Sequence, residues 1–213
     1  MGIENFEKLP FEKQTEIINA AIEVFGRNEY KKASTEEISR RAGISKGMLF
    51  YYFKDKKSLY IYALDYINNL VSRRVLDEKF QSLDDFFDIL SYSADKKVQL
   101  WRQHPEYLDF VLRAYGSKNE EISRTVAGQV KQAYENLPGY FANIRPDKFK
   151  DGVDIAMVSK MLLWMVEGYI ADAGRCGRGT GAQDIMQVFS RAMNLIKSAV
   201  YKPEFTGDKN EQN

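Results

Sequence analysis

Residues 34–57 read Ser34-Thr35-Glu36-Glu37-Ile38-Ser39-Arg40-Arg41-Ala42-Gly43-Ile44-Ser45-Lys46-Gly47-Met48-Leu49-Phe50-Tyr51-Tyr52-Phe53-Lys54-Asp55-Lys56-Lys57. Ser34 followed three residues later by Glu37 is a capping-box pattern, which predicts a short helix starting at Ser34 or Thr35. Gly43 ends it, because glycine takes the left-handed conformation that closes a helix. Ser45 offers a second N-cap, for a helix running to about Phe53. Two short helices joined by a tight glycine turn form a helix-turn-helix. Ile38, Ala42, Ile44 and Leu49 are spaced to pack together and hold the two at a fixed angle. The second helix is too short to build its own core. Lys46, Gly47, Met48, Phe50, Tyr51 and Tyr52 are therefore read as facing outward, an aromatic and basic surface suited to a phosphate-lined groove.

Helical spacing continues on both sides of this stretch, and strand-like alternation is hard to find. Ile18, Ala21, Ile22 and Phe25 mark one face of a helix over about 11–28. A fourth helix, about 56–80, follows Asp55 with Leu59, Ala63, Tyr66, Leu70 and Val71 inward. Beyond the polar break at Gln81-Ser82, Leu83, Phe86, Phe87, Leu90, Ala94, Val98 and Trp101 step along another face. Pro105 suits the first turn of the next helix, which Gly116-Ser117 ends. A long segment covers about 119–142, with Leu137-Pro138-Gly139 as a stop or a kink. Residues 153–173 are apolar on nearly every side, the mark of a helix buried all round. Residues 183–201 carry a broad stripe from Ile185 to Val200. The expectation is an all-α chain of about nine helices: a three-helix DNA-binding head over 1–55, a helical ligand-binding and dimerisation domain over 56–202, and a disordered tail over 203–213.

Composition narrows the function. The 213 residues are 44% hydrophobic and 29% charged, as in an ordinary globular chain. Net charge is only +1, which argues against a protein that coats nucleic acid or an acidic membrane with its whole surface. The balance is uneven along the chain: residues 27–57 hold nine basic and four acidic side chains, so this segment carries +5 and the remainder −4. A single cysteine, Cys176, excludes an internal disulfide and a cysteine-rich zinc site, and a single histidine, His104, excludes paired-histidine metal motifs. The N-terminus lacks a basic segment followed by an apolar run, and Ile155 to Val166 is too short to span a bilayer. The expected setting is soluble and cytoplasmic, with no cofactor, no metal and no membrane.

The residues from Ile18 to Phe25, then Thr35-x-x-Ile38, then Arg41 to Lys56 and Leu59, resemble the N-terminal domain of TetR-family transcriptional regulators, over about residues 11–62. The resemblance implies a homodimer that binds a palindromic operator, with half-sites about one helical turn of duplex apart or a multiple of it. It implies that Thr35 touches a phosphate, that Lys46, Gly47 and Met48 face base edges in the major groove, and that Tyr52 and Lys56 bind phosphates on either side. With Ser45, Phe50 and Tyr51 these are the candidate DNA contacts. Two positions depart from the family pattern. Phe50 replaces the usual tyrosine and loses a hydroxyl; Met48 replaces a small hydroxyl residue, so apolar contact takes the place of a hydrogen bond.

The same resemblance makes the helices at 153–173 and 183–201 the dimer interface, and their apolar excess points the same way. It also implies a cavity for a small-molecule effector among the middle helices. Phe87, Trp101, Tyr107, Phe110, Trp164 and Tyr169 are its candidate lining, each weighed against plain core packing. His104 reads as a capping or surface residue. Cys176 lies in a glycine-rich connection that lacks a phosphate-loop ending; a redox role there, aided by Arg175 and Arg178, is the minor reading. No catalytic constellation appears. The function read from the sequence is a homodimeric repressor released from its palindromic operator by an apolar or aromatic small molecule, with an activator or nucleoid-associated factor that carries the same head and no small-molecule switch as the alternative.

Overall fold

The computed structural model describes residues 2–175 and 181–206, apart from the side chains of 173–175. Cys176 and residues 207–213 lie outside the described residues. Eleven helices and no strand occur among them: α1 (Gly2–Glu7), α2 (Phe11–Arg27), α3 (Thr35–Arg41), α4 (Lys46–Tyr52), α5 (Lys56–Val75), α6 (Glu78–Ser82), α7 (Phe86–Gln103), α8 (Pro105–Tyr115), α9 (Glu120–Tyr140), α10 (Ile155–Arg175) and α11 (Ala182–Val200). Most begin where a short polar side chain accepts a backbone N–H of the first turn. Ser34 serves α3 and Ser45 serves α4, Asp55 accepts from the Ser58 N–H ahead of α5, and Asp77 caps α6. Each such cap contributes about 1 kcal/mol.

The chain divides into two compact units, 1–72 with 101–128 and 73–100 with 129–213. In the first, α2 packs against α3 and α8, α3 against α4, and α1 against α4. Its core stacks Phe25 on Phe110, centroids 5.8 Å apart, with Tyr60 edge-on to both at 4.7 Å. Arg113 ties α8 to the end of α2 by donating to the Gly26 carbonyl at 2.8 Å, and the Tyr107 hydroxyl donates to Asn19 at 2.8 Å. In the second unit, Phe86, Phe87, Phe141, Phe149, Leu162, Met193 and Tyr201 form the core. Lys148 and Asp85 make an ion pair at 2.8 Å at its edge, and Asp85 also accepts the Phe87 and Asp88 N–H groups at the start of α7.

Several expectations are corrected. α1 was not foreseen at all. The helix expected over 56–80 is two, because Asp77 ends the run by capping α6. α9 runs through Pro138 to Tyr140. α10 is not buried all round within one chain: Val158 and Leu162 are buried, but Met157, Met161 and Trp164 are exposed. The tail expected from 203 starts with an ordered 3₁₀ turn, Pro203–Phe205, whose Phe205 packs on the second core. Eleven helices stand where about nine were expected, since α1 and α6 are too short to leave a periodic signal.

Candidate nucleic-acid interface

The turn between α3 and α4 is made by Gly43, at φ 61°, a conformation that costs a residue with a Cβ about 1–2 kcal/mol. Ile38, Ala42 and Leu49 are buried beneath it, with Ile44 half-buried. The Ser45 hydroxyl accepts the Met48 N–H at 3.1 Å and so fixes the first turn of α4. From this base Lys46, Gly47, Met48, Phe50 and Tyr51 are exposed, Tyr51 to 61%. A Cβ built on Gly47 would meet only Ser45 Oγ, at the ordinary contact distance of 3.8 Å. Nothing within the chain requires glycine there. Thr35, the first residue of α3, is half-exposed.

Tyr52 departs from expectation. Expected on the outer face, it is only 6% exposed, because α1 covers the end of α4. Phe6 is fully buried among Tyr52, Phe53 and Tyr62, with centroids 4.8–5.9 Å away. The approach is close enough that a Cβ on Gly2 would lie 2.6 Å from the Tyr52 carbonyl oxygen. From the same helix Asn5 Nδ2 donates to the Tyr51 hydroxyl at 2.7 Å. The hydroxyl is thereby the acceptor, and its own hydrogen is left to point elsewhere.

Lys56 likewise does something the sequence reading missed. Its ammonium donates to the carbonyls of Tyr30 at 2.7 Å, Ala33 at 3.1 Å and Lys31 at 3.3 Å, and it lies 4.7 Å from the Tyr30 ring centroid. An ammonium has three donors, and all three are engaged in tying α5 to the loop before α3. Burial pushes its pKa below the usual lysine value.

The other cations of residues 27–57 fall into two sets. Arg41 pairs with Glu37 and Glu23, both at 2.8 Å, Arg27 lies 3.9 Å from Glu23, and Lys57 pairs with Glu121 at 2.7 Å. Lys31, Lys32, Arg40, Lys46 and Lys54 are exposed and, among the described residues, form no ion pair. Surface charges without a local partner keep their long-range attraction for an anionic partner.

The aromatic residues expected around a ligand belong to different units: Trp101, Tyr107 and Phe110 to the first, Phe87, Trp164 and Tyr169 to the second. Tyr107, Phe110 and Phe87 are core residues. Trp101 and Tyr169 are half-buried, and Trp164 is 52% exposed. His104 stacks on Tyr107 and makes a 3.2 Å contact with Glu106. No group of three or more His, Cys, Asp or Glu able to hold a metal occurs among the described residues, and no helix is long and apolar enough to cross a membrane.

Residues 17–63 match the model of the bacterial regulatory proteins of the tetR family. The chain is 29% identical over 122 residues to the biofilm operon icaADBC HTH-type negative transcriptional regulator IcaR of Staphylococcus aureus, across 52% of this chain and 66% of that protein. It is 32% identical over 93 residues to the HTH-type transcriptional activator FasR of Mycolicibacterium smegmatis, across 39% of this chain and 42% of that protein. The chain thus spans just under two thirds of the length of the first relative and less than half of the second. The fold is similar to that of the transcriptional regulator FadR from Bacillus subtilis, solved in complex with stearoyl-CoA. There the TM-score is 0.66 at 18% identity, covering 88% of this chain and 99% of that one.

Proposed function

The chain belongs to the TetR family of transcriptional regulators, and from that premise we propose that it is a homodimeric repressor released from a palindromic operator by a small molecule. The observation that carries DNA recognition is α4: a seven-residue helix, capped and anchored on one side, whose other side leaves Met48, Phe50 and Tyr51 open to solvent. Lys46, Gly47 and Met48 meet base edges, and Ser45 closes the first turn against the groove wall. Thr35 and the free hydroxyl hydrogen of Tyr51 meet phosphates, while the five unpaired cations supply attraction. Lys56 and Tyr52 support this surface from within.

The test is fluorescence anisotropy with a duplex selected from a random pool by the protein. Binding should weaken with salt at a log–log slope of at most about 4.5 per subunit, the value for five phosphate-directed cations at about 0.9 each. No selected duplex, or a slope near zero, refutes the reading.

The dimer is supported by the open side of α10. Met157, Met161 and Trp164 recur at helical spacing, and Leu195 of α11 is 72% exposed; a second copy would cover them. Trp164→Glu should convert dimer to monomer by light scattering and abolish tight duplex binding. Release by ligand is supported within the first unit by the packing of α8 on α2, since a ligand that moves α8 acts on the head through Arg113 and Tyr107. Such a ligand must bind the released state better than the DNA-bound one. One relative is called an activator, so the second reading reverses the sign of the switch; transcription in vitro from a selected operator separates the two.

A further inference from the structure

α4 offers a partner few hydrogen-bonding side chains and two large apolar ones. At 3.6 residues per turn, Leu49 and Tyr52 point to one side of the helix, and both are buried. Gly47 lies opposite them, flanked by Phe50 and Tyr51, with Lys46 beyond Phe50 and Met48 beyond Tyr51; all five are exposed. Within this outer set Tyr51 is already held, since its hydroxyl accepts from Asn5 at 2.7 Å and its ring meets that of Tyr52 edge-on, centroids 5.6 Å apart. Met48 and Phe50, 44% and 37% exposed, are the purely apolar side chains left there.

Apolar side chains in water favour a partner that removes them from it. The charge around these two calls for an anionic one, because Lys46 and Lys54, at either end of α4, are exposed and form no ion pair among the described residues. Duplex DNA meets both demands in one place: its major groove has phosphate walls and, on its floor, one kind of apolar group, the C5-methyl of thymine. The rest of α4 narrows the code further. Residues 46–52 contain no Arg, Asn, Gln, Asp or Glu, the side chains that pair bidentately with guanine or adenine or accept from cytosine. Hydrogen bonds from its outer side come down to the Lys46 ammonium and the Tyr51 hydroxyl, and Gly47 adds no side chain to hold the backbone off the floor. We infer that Met48 and Phe50 read thymine methyl groups, so that each half-site is specified by thymine at the base pairs these two side chains meet. The inference rests on the DNA-recognition reading above and gives the operator a chemical signature.

The experiment is fluorescence anisotropy with the full chain and the duplex it selects from a random pool, the thymines of one half-site being replaced one at a time by uracil. Uracil keeps every hydrogen-bonding group of thymine and lacks only the methyl. The wild-type protein should lose about fourfold in affinity for each methyl it contacts, the effect of one apolar carbon left out of contact, and nothing at the other thymines. Met48→Ala should abolish the loss at one sensitive position and Phe50→Ala at another, each leaving the remaining position as sensitive as before. No sensitive thymine, or the same sensitive thymines in either variant as in wild type, overturns the inference; it leaves the two side chains against the sugars and DNA recognition standing. Selection of no duplex overturns DNA recognition, and this inference with it.

Discussion

Replacing Lys56 by methionine separates two roles that a sequence alone assigns to the same charge. If Lys56 is a phosphate anchor, its loss removes about 0.9 from the salt slope per subunit and leaves the fold untouched. If it is the strut seen here, the loss falls on stability. Its three hydrogen bonds, at 2.7, 3.1 and 3.3 Å, come from a charged donor to carbonyls that are in part exposed. A single buried bond of this kind contributes about 1.5–3 kcal/mol. Here the carbonyls of residues 30, 31 and 33 can turn to water once the ammonium is gone, and methionine keeps some contact with the Tyr30 ring. We therefore assign about 2 kcal/mol to the whole set, a fall in melting temperature of roughly 4–8 °C for a chain of this size. Thermal melts followed by circular dichroism read the stability, and duplex binding across a salt series reads the slope. The expected result is a lower melting temperature, modestly weaker binding and an unchanged slope. An unchanged melting temperature with a slope reduced by about 0.9 refutes the strut and returns Lys56 to the DNA backbone.

Gly47→Ala adds a Cβ into open space within a helix, so it should stabilise the free protein by up to about 1 kcal/mol while weakening duplex binding; stronger or equal binding would show that no DNA group approaches this position. Asn5→Asp reverses the hydrogen bond to Tyr51, taking the hydroxyl's hydrogen and adding a negative charge, so duplex affinity should fall about tenfold, whereas Asn5→Asp with wild-type affinity would remove Tyr51 from the phosphate contacts. Asp85 gives a pH dependence with a definite sign. Burial opposes its ionisation, but the Lys148 ammonium and the Asp88 N–H outweigh that and hold its carboxyl below the usual carboxylate range. Because the folded value is depressed, its contribution to stability is present above the unfolded value of about 3.9 and is lost as pH falls below it toward the folded one. Asp85→Asn should cost about 3 kcal/mol at neutral pH by leaving Lys148 unpaired, and should flatten the acid limb of the stability curve; an acid limb identical to wild type would exclude Asp85 as its source.

What was legible in the sequence was what neighbouring residues decide. Ser34, Gly43 and Ser45 are local devices, and each acts where it was read, whereas the Glu37 carboxylate pairs with Arg41 one turn on and leaves the capping box half-formed. α1 was not legible because six residues carry no period, and its reason to exist is a distant aromatic pocket of Tyr52, Phe53 and Tyr62 that receives Phe6. For the same reason Tyr52 was read as outward: nothing in residues 45–53 tells that another helix covers that side. Asp77 had a readable signal, an acidic residue before Glu78, but the apolar pattern over 56–80 masked it.

The charge pattern shows how fold turns a count into a surface. By sequence, residues 27–57 carry +5, and any of the nine cations is a candidate for DNA. Folding withdraws Arg27, Arg41 and Lys57 to carboxylates and Lys56 to backbone carbonyls. The five that remain lie where chain direction changes or a recognition element begins or ends: Lys31 and Lys32 before α3, Arg40 near its end, Lys46 at the start of α4, and Lys54 just after it. The withdrawn four stiffen the platform and the other five attract. On the proposed reading these five cations give a near-neutral chain a local positive field that attracts duplex DNA. It has too few free cations to stay on DNA without base contacts at physiological salt, where non-specific binding lies only in the range of about 10⁻⁴–10⁻⁶ M. On the proposed reading that balance lets a loss of half-site geometry release the protein, and recognition then depends on α4, set at its angle by the Gly43 turn and by Phe6 packed against its end.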